Sequence, residues 1–231
     1  MRYAKHLELS FFTWFNYFIL TLLLGRKSLL NPSKIELERW GSPQGGWYVP
    51  TKLLKKNWIY YLVGVGTDIS FDLALTKRVG CEAYLFDPTP KAIEFMREYK
   101  KQKQLHFFPY GVWHQDVALD FFAPIEAGWV SHSVVNLQNT PTGFKAECKR
   151  ISTLAKQLKH KHVDFLKLDI SGAEYAVLED ILATKKLPKV LLIEFDQPVF
   201  VYKTYRMILK LVAAGYDLAV RDMWNFTFVQ R

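Results

Sequence analysis

The residues of this 231-residue chain best suited to chemistry are acids that close apolar runs. Asp169 ends the run from Val163, Glu194 ends the run from Val190, and Asp196 follows two residues later. In a parallel sheet, strands ending this way gather their carboxylates at one edge, where a shared field raises one of them into general-base range. Such a base takes the proton from an alcohol whose oxygen attacks an activated carbon. Three hard oxygen donors at a strand edge equally suit Mg²⁺, and purely structural carboxylates are the third reading. His132, between Ser131 and Ser133, and His114 add imidazoles able to take a proton near neutral pH, against the plainer reading of solvated loop histidines.

A second group of residues fits a cofactor. The apolar run Tyr60 to Val63 breaks at Gly64-Val65-Gly66 and restarts with helical spacing after Asp68. Gly64 and Gly66 take positive φ without a Cβ cost and leave bare backbone for a ligand to approach. Asp87 closes the next apolar run about 20 residues on, where dinucleotide folds hold a ribose hydroxyl. Ile69 replaces the third glycine of the dinucleotide fingerprint, so the pattern points away from NAD and toward a nucleoside cofactor with no pyrophosphate to cradle.

Alternating elements must position these groups. Strands are expected over Trp58–Gly64, Glu82–Asp87, Leu105–Tyr110, Val163–Asp169 and Val190–Glu194, with helices over Asp68–Val79, Pro90–Lys101, Lys149–His160, Glu174–Leu182 and Val201–Ala214. That order, with short connections, predicts a mostly parallel sheet with helices on both faces. Tyr216–Arg221 and Asn225–Gln230, joined by a few residues, predict a closing antiparallel pair. Between the third and fourth strands, Val117–Phe122 and Trp129–Leu137 look like an inserted hairpin or substrate loop. Lys167 falls inside a strand that should be buried, which demands a partner, with Glu174 and Glu194 as the nearest candidates. Trp113, Trp129 and Trp224 stand at predicted strand ends, where they stack on a sugar or fill the core.

Half the residues are hydrophobic, enough for one full core plus an appendage, and the formal charge is +9. The lysines are dispersed near element ends, which reads as solvated faces, and no specific nucleic acid is expected as partner. Two cysteines, Cys81 and Cys148, give neither a disulfide framework nor metal-ligand spacing, so a reducing, cytoplasmic setting is expected. Leu9 to Gly25 is uncharged and aromatic but short of the roughly 20 apolar residues of a spanning helix. Drawn as a helix it carries Ser10, Thr13, Tyr17 and Thr21 on one stripe, with Arg2, Lys5, Arg26 and Lys27 flanking. A helix lying on a membrane surface, on a partner or on the chain's own body remains open, with peripheral membrane association through residues 9–25 among the alternatives. Residues 1–50 are expected to form this helical extension and a Gly- and Pro-rich linker or cap, and 51–231 the catalytic domain.

Three blocks carry a family resemblance. Val63-Gly-Val-Gly-Thr-Asp-Ile-Ser-Phe, Phe86-Asp-Pro-Thr-Pro and Phe165-Leu-Lys-Leu-Asp-Ile-Ser-Gly-Ala-Glu resemble the FkbM-type methyltransferases, which use S-adenosylmethionine. The third block differs from the family's usual pattern in having Ser171 where a Glu is typical. The resemblance implies a class I, Rossmann-like methyltransferase fold, with a seven-stranded, mostly parallel sheet and an antiparallel last strand. It also implies methyl transfer to a hydroxyl, often of a sugar, glycan or small metabolite. Carried onto this sequence, Gly64, Val65 and Gly66 would meet the cofactor's amino-acid portion. Asp68 would meet its ammonium, because Leu62 and Val63 stand where many such enzymes place an acid. Asp87 would take the ribose hydroxyls, Gly111 and Val112 would flank the adenine, and Asp169 would face the methyl group. The alternatives are an RNA methyltransferase, suggested by the net charge, and a non-catalytic binding module with the same fold.

Overall fold

The computed structural model describes residues 2–26, 34–123, 132–136, 139–195 and 199–231. Its main sheet has seven strands: β3 (Tyr60–Val63), β4 (Ala83–Phe86), β5 (Leu105–Phe108), β9 (Phe165–Leu168), β10 (Val190–Glu194), β11 (Tyr216–Asp222) and β12 (Asn225–Gln230). The spatial order is β11-β12-β10-β9-β3-β4-β5. β12 runs antiparallel to both its neighbours, while β10, β9, β3, β4 and β5 pair in parallel. Every residue of β3 and β9 is buried, which is why these strands read as apolar runs with no alternation, broken only by Lys167. From β3 the chain winds outward through β4 to β5, then returns through β9 to the other side, so the β3–β9 border is the point where a crevice opens at the strands' carboxyl ends.

Five helices connect these strands: α2 (Ser70–Val79), α3 (Pro90–Met96), α4 (Ile151–Gln157), α5 (Glu174–Thr184) and α6 (Val201–Ala213). Thr89 caps α3, its hydroxyl accepting the Ala92 N–H, and Pro90 occupies the first turn, where its missing N–H costs nothing. Gly80 ends α2 in the left-handed conformation, φ +70°.

One expectation needs correction. The inserted segment does contain β7 (Val117–Phe122), but its partner is β8 (Thr142–Lys149) and not Trp129–Leu137. β8 also pairs in parallel with β6 (Gly111–Val112), making a separate three-stranded sheet. Its alternation of Phe144, Ala146 and Cys148 with Lys145, Glu147 and Lys149 is the period of a half-buried strand. Within the expected arm, Ser133 forms a lone bridge to Phe122, and Trp129, Ser131 and Leu137 lie outside the described residues. Of the two readings of the stretch before Pro50, it is the cap that forms: β1 (Glu38–Trp40) and β2 (Trp47–Val49) make a hairpin whose Trp40, Trp47 and Val49 are buried with α2 and the β3 face. Thr227 of β12 ties it to the sheet by donating to the Tyr48 carbonyl at 2.7 Å.

The N-terminal helix, α1 (Arg2–Arg26), lies on the body of the protein. Leu20 and Leu24 are fully buried in the core beside α6, a gain of about 1.5–3 kcal/mol each. Asn16, on the same stripe, donates to the Val199 carbonyl at 2.6 Å. Arg221 of β11 donates to the Thr21 hydroxyl at 2.8 Å and covers the Tyr17 ring, so part of the expected polar stripe faces protein. Among the described residues, no helix is long and apolar enough to cross a membrane.

Candidate active site

A cavity of about 390 Å³ opens at the carboxyl ends of β3, β4 and β9, within the size range of cofactor and small-ligand pockets. Gly64, Val65, Gly66, Asp68, Asp87, Gly111, Val112, His132 and Asp169 all line it. Glu194 does not line it but is hydrogen-bonded to Asp169 from the end of the neighbouring strand. Asp196 lies outside the described residues. Trp113, His114 and Trp224 are not among the lining residues, and Trp224 packs edge-on against Tyr17 instead.

The glycine turn is held by Asp87. The Val65 and Gly66 N–H groups each donate to its Oδ2 at 2.9 Å, and the Thr89 N–H and hydroxyl donate to its Oδ1 at 2.8 and 2.6 Å. These four bonds match the four lone-pair positions of a carboxylate, so Asp87 first of all fixes the turn's shape. Only the Thr89 hydroxyl among the four donors can rotate away to admit a ribose hydroxyl. Gly64 itself has φ +83°, and a Cβ there would stand 1.7 Å from the Asp169 carbonyl oxygen. No other residue fits between the two strand ends.

Asp68 is tied to the hairpin. The Ser42 hydroxyl donates to its Oδ2 at 2.6 Å and the Ser70 N–H to its Oδ1 at 2.9 Å, while the Gly45 N–H donates to the Ser42 hydroxyl at 2.8 Å. Burial pushes the Asp68 carboxyl up, but these bonds and the Lys167 charge outweigh it, leaving the group below its ordinary value. Gln44 and Gly45 thereby become part of the cavity wall, a contribution the sequence did not signal.

Lys167 stands at the centre of the acids. Its ammonium donates to the Gly64 carbonyl at 2.9 Å and to Asp169 Oδ2 at 3.1 Å, so it forms an ion pair with Asp169, two residues along its own strand. Burial disfavours the charge, yet Asp169, Asp72 and Glu194 together hold the ammonium above its ordinary value. For Asp169 the balance runs the other way from expectation: burial raises its carboxyl, but Lys167 and hydrogen bonds from Glu194 and Lys167 leave it lowered. The acid that is raised is Asp72, in the first turn of α2, which burial pushes to about 6 against the opposing pull of Lys167. Among the described residues, no three His, Cys, Asp or Glu side chains stand together as a metal site, and the Mg²⁺ reading finds no support.

The Asp72 shift has a thermodynamic consequence. A carboxyl whose folded pKa is raised binds its proton more tightly in the native state, so stability falls as pH climbs from the ordinary 3.8 through about 6. Asp72→Asn is therefore expected to stabilise the protein at pH 8 by about 1–3 kcal/mol and to change little at pH 4. Urea unfolding at the two pH values checks this, and an equal effect at both would contradict the linkage.

The inserted sheet closes the far side. Gly111 packs so closely that a Cβ there would meet Cys148 Sγ at 2.6 Å, and Phe121 of β7 and Val134 line the cavity with it. His132 packs against Phe144, ring centroids 5.2 Å apart, and the neighbouring Ser133 hydroxyl donates to the Ser171 carbonyl. Ser171, in the turn after β9, has φ +48°, a left-handed conformation unusual for serine, and its residue lines the cavity.

A family model described as the methyltransferase FkbM domain matches residues 49–218. The chain belongs to the FkbM methyltransferase family. Its sheet is that of the class I methyltransferases, and the family's methyl donor is S-adenosylmethionine. Two curated relatives, each a probable methyltransferase-like protein 24, from Rattus norvegicus and from Homo sapiens, are 22% identical over 131 residues, or 56% of this chain. The aligned part spans 30% of the length of those relatives. Solved structures with a similar course include precorrin-6y C5,15-methyltransferase from Geobacter metallireducens GS-15, with a TM-score of 0.43, 11% identity and coverage of 78% of this chain and 85% of that one. Monomeric WbdD gives 0.42, 12%, 75% and 36%, and the Methanococcus jannaschii fibrillarin pre-rRNA processing protein gives 0.40, 9%, 84% and 82% in the same order.

The cavity of this FkbM methyltransferase suits the donor's chemistry. S-adenosylmethionine carries a sulfonium and an ammonium, and the lining offers Asp68, Asp72 and Asp169 while its one Lys or Arg, Lys167, is already paired. When bound, the donor supplies a methyl group on an activated leaving sulfur. Alignment of an acceptor against that methyl group would fall to the protein.

Proposed function

We propose that this protein transfers the methyl group of S-adenosylmethionine to a hydroxyl of a sugar, glycan or small metabolite. The observation that carries this reading is Asp169: an ionised carboxylate, 35% exposed into the cavity, at the switch point of the sheet and beside the glycine turn. Gly64, Val65 and Gly66 would border the donor's amino-acid end with Asp68 near the ammonium. Gly111 and Val112 would border the base, and Asp87 would exchange its Thr89 hydroxyl bond for a ribose hydroxyl.

Asp169 need not be a strong base. As the carbon–oxygen bond forms, the alcohol oxygen becomes a strongly acidic oxonium, so an aligned carboxylate below its ordinary pKa still accepts the proton. Lys167 keeps Asp169 ionised and fixes its direction, and a hydrogen bond with Glu194 adds to the hold on the carboxylate. His132, from the inserted segment, faces the same cavity and is suited to orient the acceptor. The acidic lining of the cavity speaks against a polyanionic acceptor such as RNA at this site.

The test is incubation with methyl-labelled donor and a panel of nucleotide sugars, glycans, small alcohols and RNA. Label is expected in a hydroxyl compound, and Asp169→Asn is expected to lower transfer by roughly 10²-fold or more while leaving S-adenosylhomocysteine affinity within about threefold. Label in RNA alone, or an Asp169→Asn variant as active as the wild type, would overturn the reading.

A further inference from the structure

The outward face of α1 is the largest exposed apolar feature among the described residues. Phe11, Trp14, Phe15, Phe18 and Leu22 recur at helical spacing on the side away from the core, with Trp14 62% exposed. The rings lie against one another, Trp14 on Phe18 with centroids 6.0 Å apart and Phe11 on Phe15 at 6.4 Å, so the face is a continuous aromatic strip and not scattered side chains. The strip continues onto a second element. Phe12 meets Phe200 edge-on at 5.7 Å, and Phe200, itself 65% exposed, stacks on Tyr202 at 6.0 Å.

Tyr202 then borders a shallow cleft of about 370 Å³ whose other walls include Lys203 and Arg206, on one side of α6, and the ion pair of Lys210 with Glu179. In sequence, α1 also starts with Arg2 and Lys5 and ends with Arg26. An aromatic strip edged by cations has the composition of a helix that lies in the plane of an anionic bilayer, aromatic face down and basic groups at headgroup level. The helix does not have the length and apolarity to cross the bilayer, and Asn16, Leu20 and Leu24 fasten its other face to the body. Phe200 opens the helix that follows β10, so the strip reaches the same edge of the sheet at which the cavity opens.

We propose that the α1 strip, with Phe200 and Tyr202, docks the protein onto an anionic phospholipid bilayer, with Lys203 and Arg206 of the cleft receiving headgroup phosphates. The docking is independent of the methyl-transfer reading, because neither the donor nor the cavity takes part in it.

Co-sedimentation of the full chain with phosphatidylcholine vesicles, with and without phosphatidylserine, tests this in the absence of donor. Binding is expected to the anionic vesicles, to weaken with salt, and to fall by roughly tenfold or more in Trp14→Ser/Phe18→Ser, whose exposed positions leave the fold intact. Lys203→Glu/Arg206→Glu is expected to weaken anionic binding and leave binding to neutral vesicles unchanged. No sedimentation with either vesicle, or an unaltered Trp14→Ser/Phe18→Ser variant, would overturn the proposal. So would a wild-type dimer that dissociates with the same substitutions and ignores vesicles, since a second copy would then cover the strip.

Discussion

Gly64→Ala is expected to cost on the order of 3 kcal/mol or more and to abolish donor binding. Two effects add. The backbone at φ +83° penalises any L side chain, and the new methyl would meet the Asp169 carbonyl oxygen at 1.7 Å, with the carbonyl carbon at 2.7 Å. Neither atom belongs to a flexible side chain, so relief requires β3 and β9 to part at their carboxyl ends. That movement would also displace the Gly64 carbonyl from Lys167. Gly215→Ala is the internal control: φ is +100° there, but nothing lies within 4 Å of the added Cβ. It should cost only the conformational penalty of about 1–2 kcal/mol. A thermal melt of the two variants separates steric from conformational cost, and equal losses would contradict the packing described at Gly64.

Lys167→Met should be comparably severe, with a pH signature of its own. Removing one partner of a buried pair leaves the other uncompensated, typically at 3–5 kcal/mol, and the low end applies here because Asp169 is 35% exposed to the cavity. In the wild type the lowered Asp169 carboxyl contributes stability above its ordinary pKa that is lost as pH falls through the folded value. Without the ammonium, Asp169 and Asp72 both shift upward, so the variant is penalised while they are ionised and recovers as they protonate. The gap between wild type and Lys167→Met should therefore be widest near pH 8 and narrow toward pH 4. Urea unfolding across that range measures it. A gap independent of pH would mean that Lys167 acts through packing alone, against the Trp47 ring that its ammonium faces at 5.5 Å.

The strands of the main sheet were legible because burial on both faces leaves an apolar run, uninterrupted in Val190–Ile193 and broken only by Lys167 in Phe165–Leu168. The glycine turn and Asp87 were legible from spacing, but the identity of Asp87's partners was not. The Val65 and Gly66 N–H groups reach it only because β4 and the turn after β3 are neighbours in the sheet. Asp72 gave no signal, since an acid in a helix's first turn is ordinary and its proximity to Lys167 is purely tertiary. The hairpin of Trp40 and Trp47 was hidden by its glycines and prolines, which read as loop. For α1, residues apolar around most of the circumference left the inward face undetermined, and it is the stripe of Asn16, Leu20 and Leu24 that the body selects. The departure at Asp169 is of the same kind: acids near one edge suggested mutual repulsion, whereas Lys167 beside Asp169 reverses the sign.

Isothermal titration of the wild-type chain with S-adenosylhomocysteine bears most directly on the placement of the donor site in the cavity between Gly64 and Asp169. Binding at one site per chain, lost in Asp87→Ala as the Val65 and Gly66 N–H groups lose their acceptor, is the predicted result. No binding by a folded wild-type protein, or full affinity in Asp87→Ala, would contradict it.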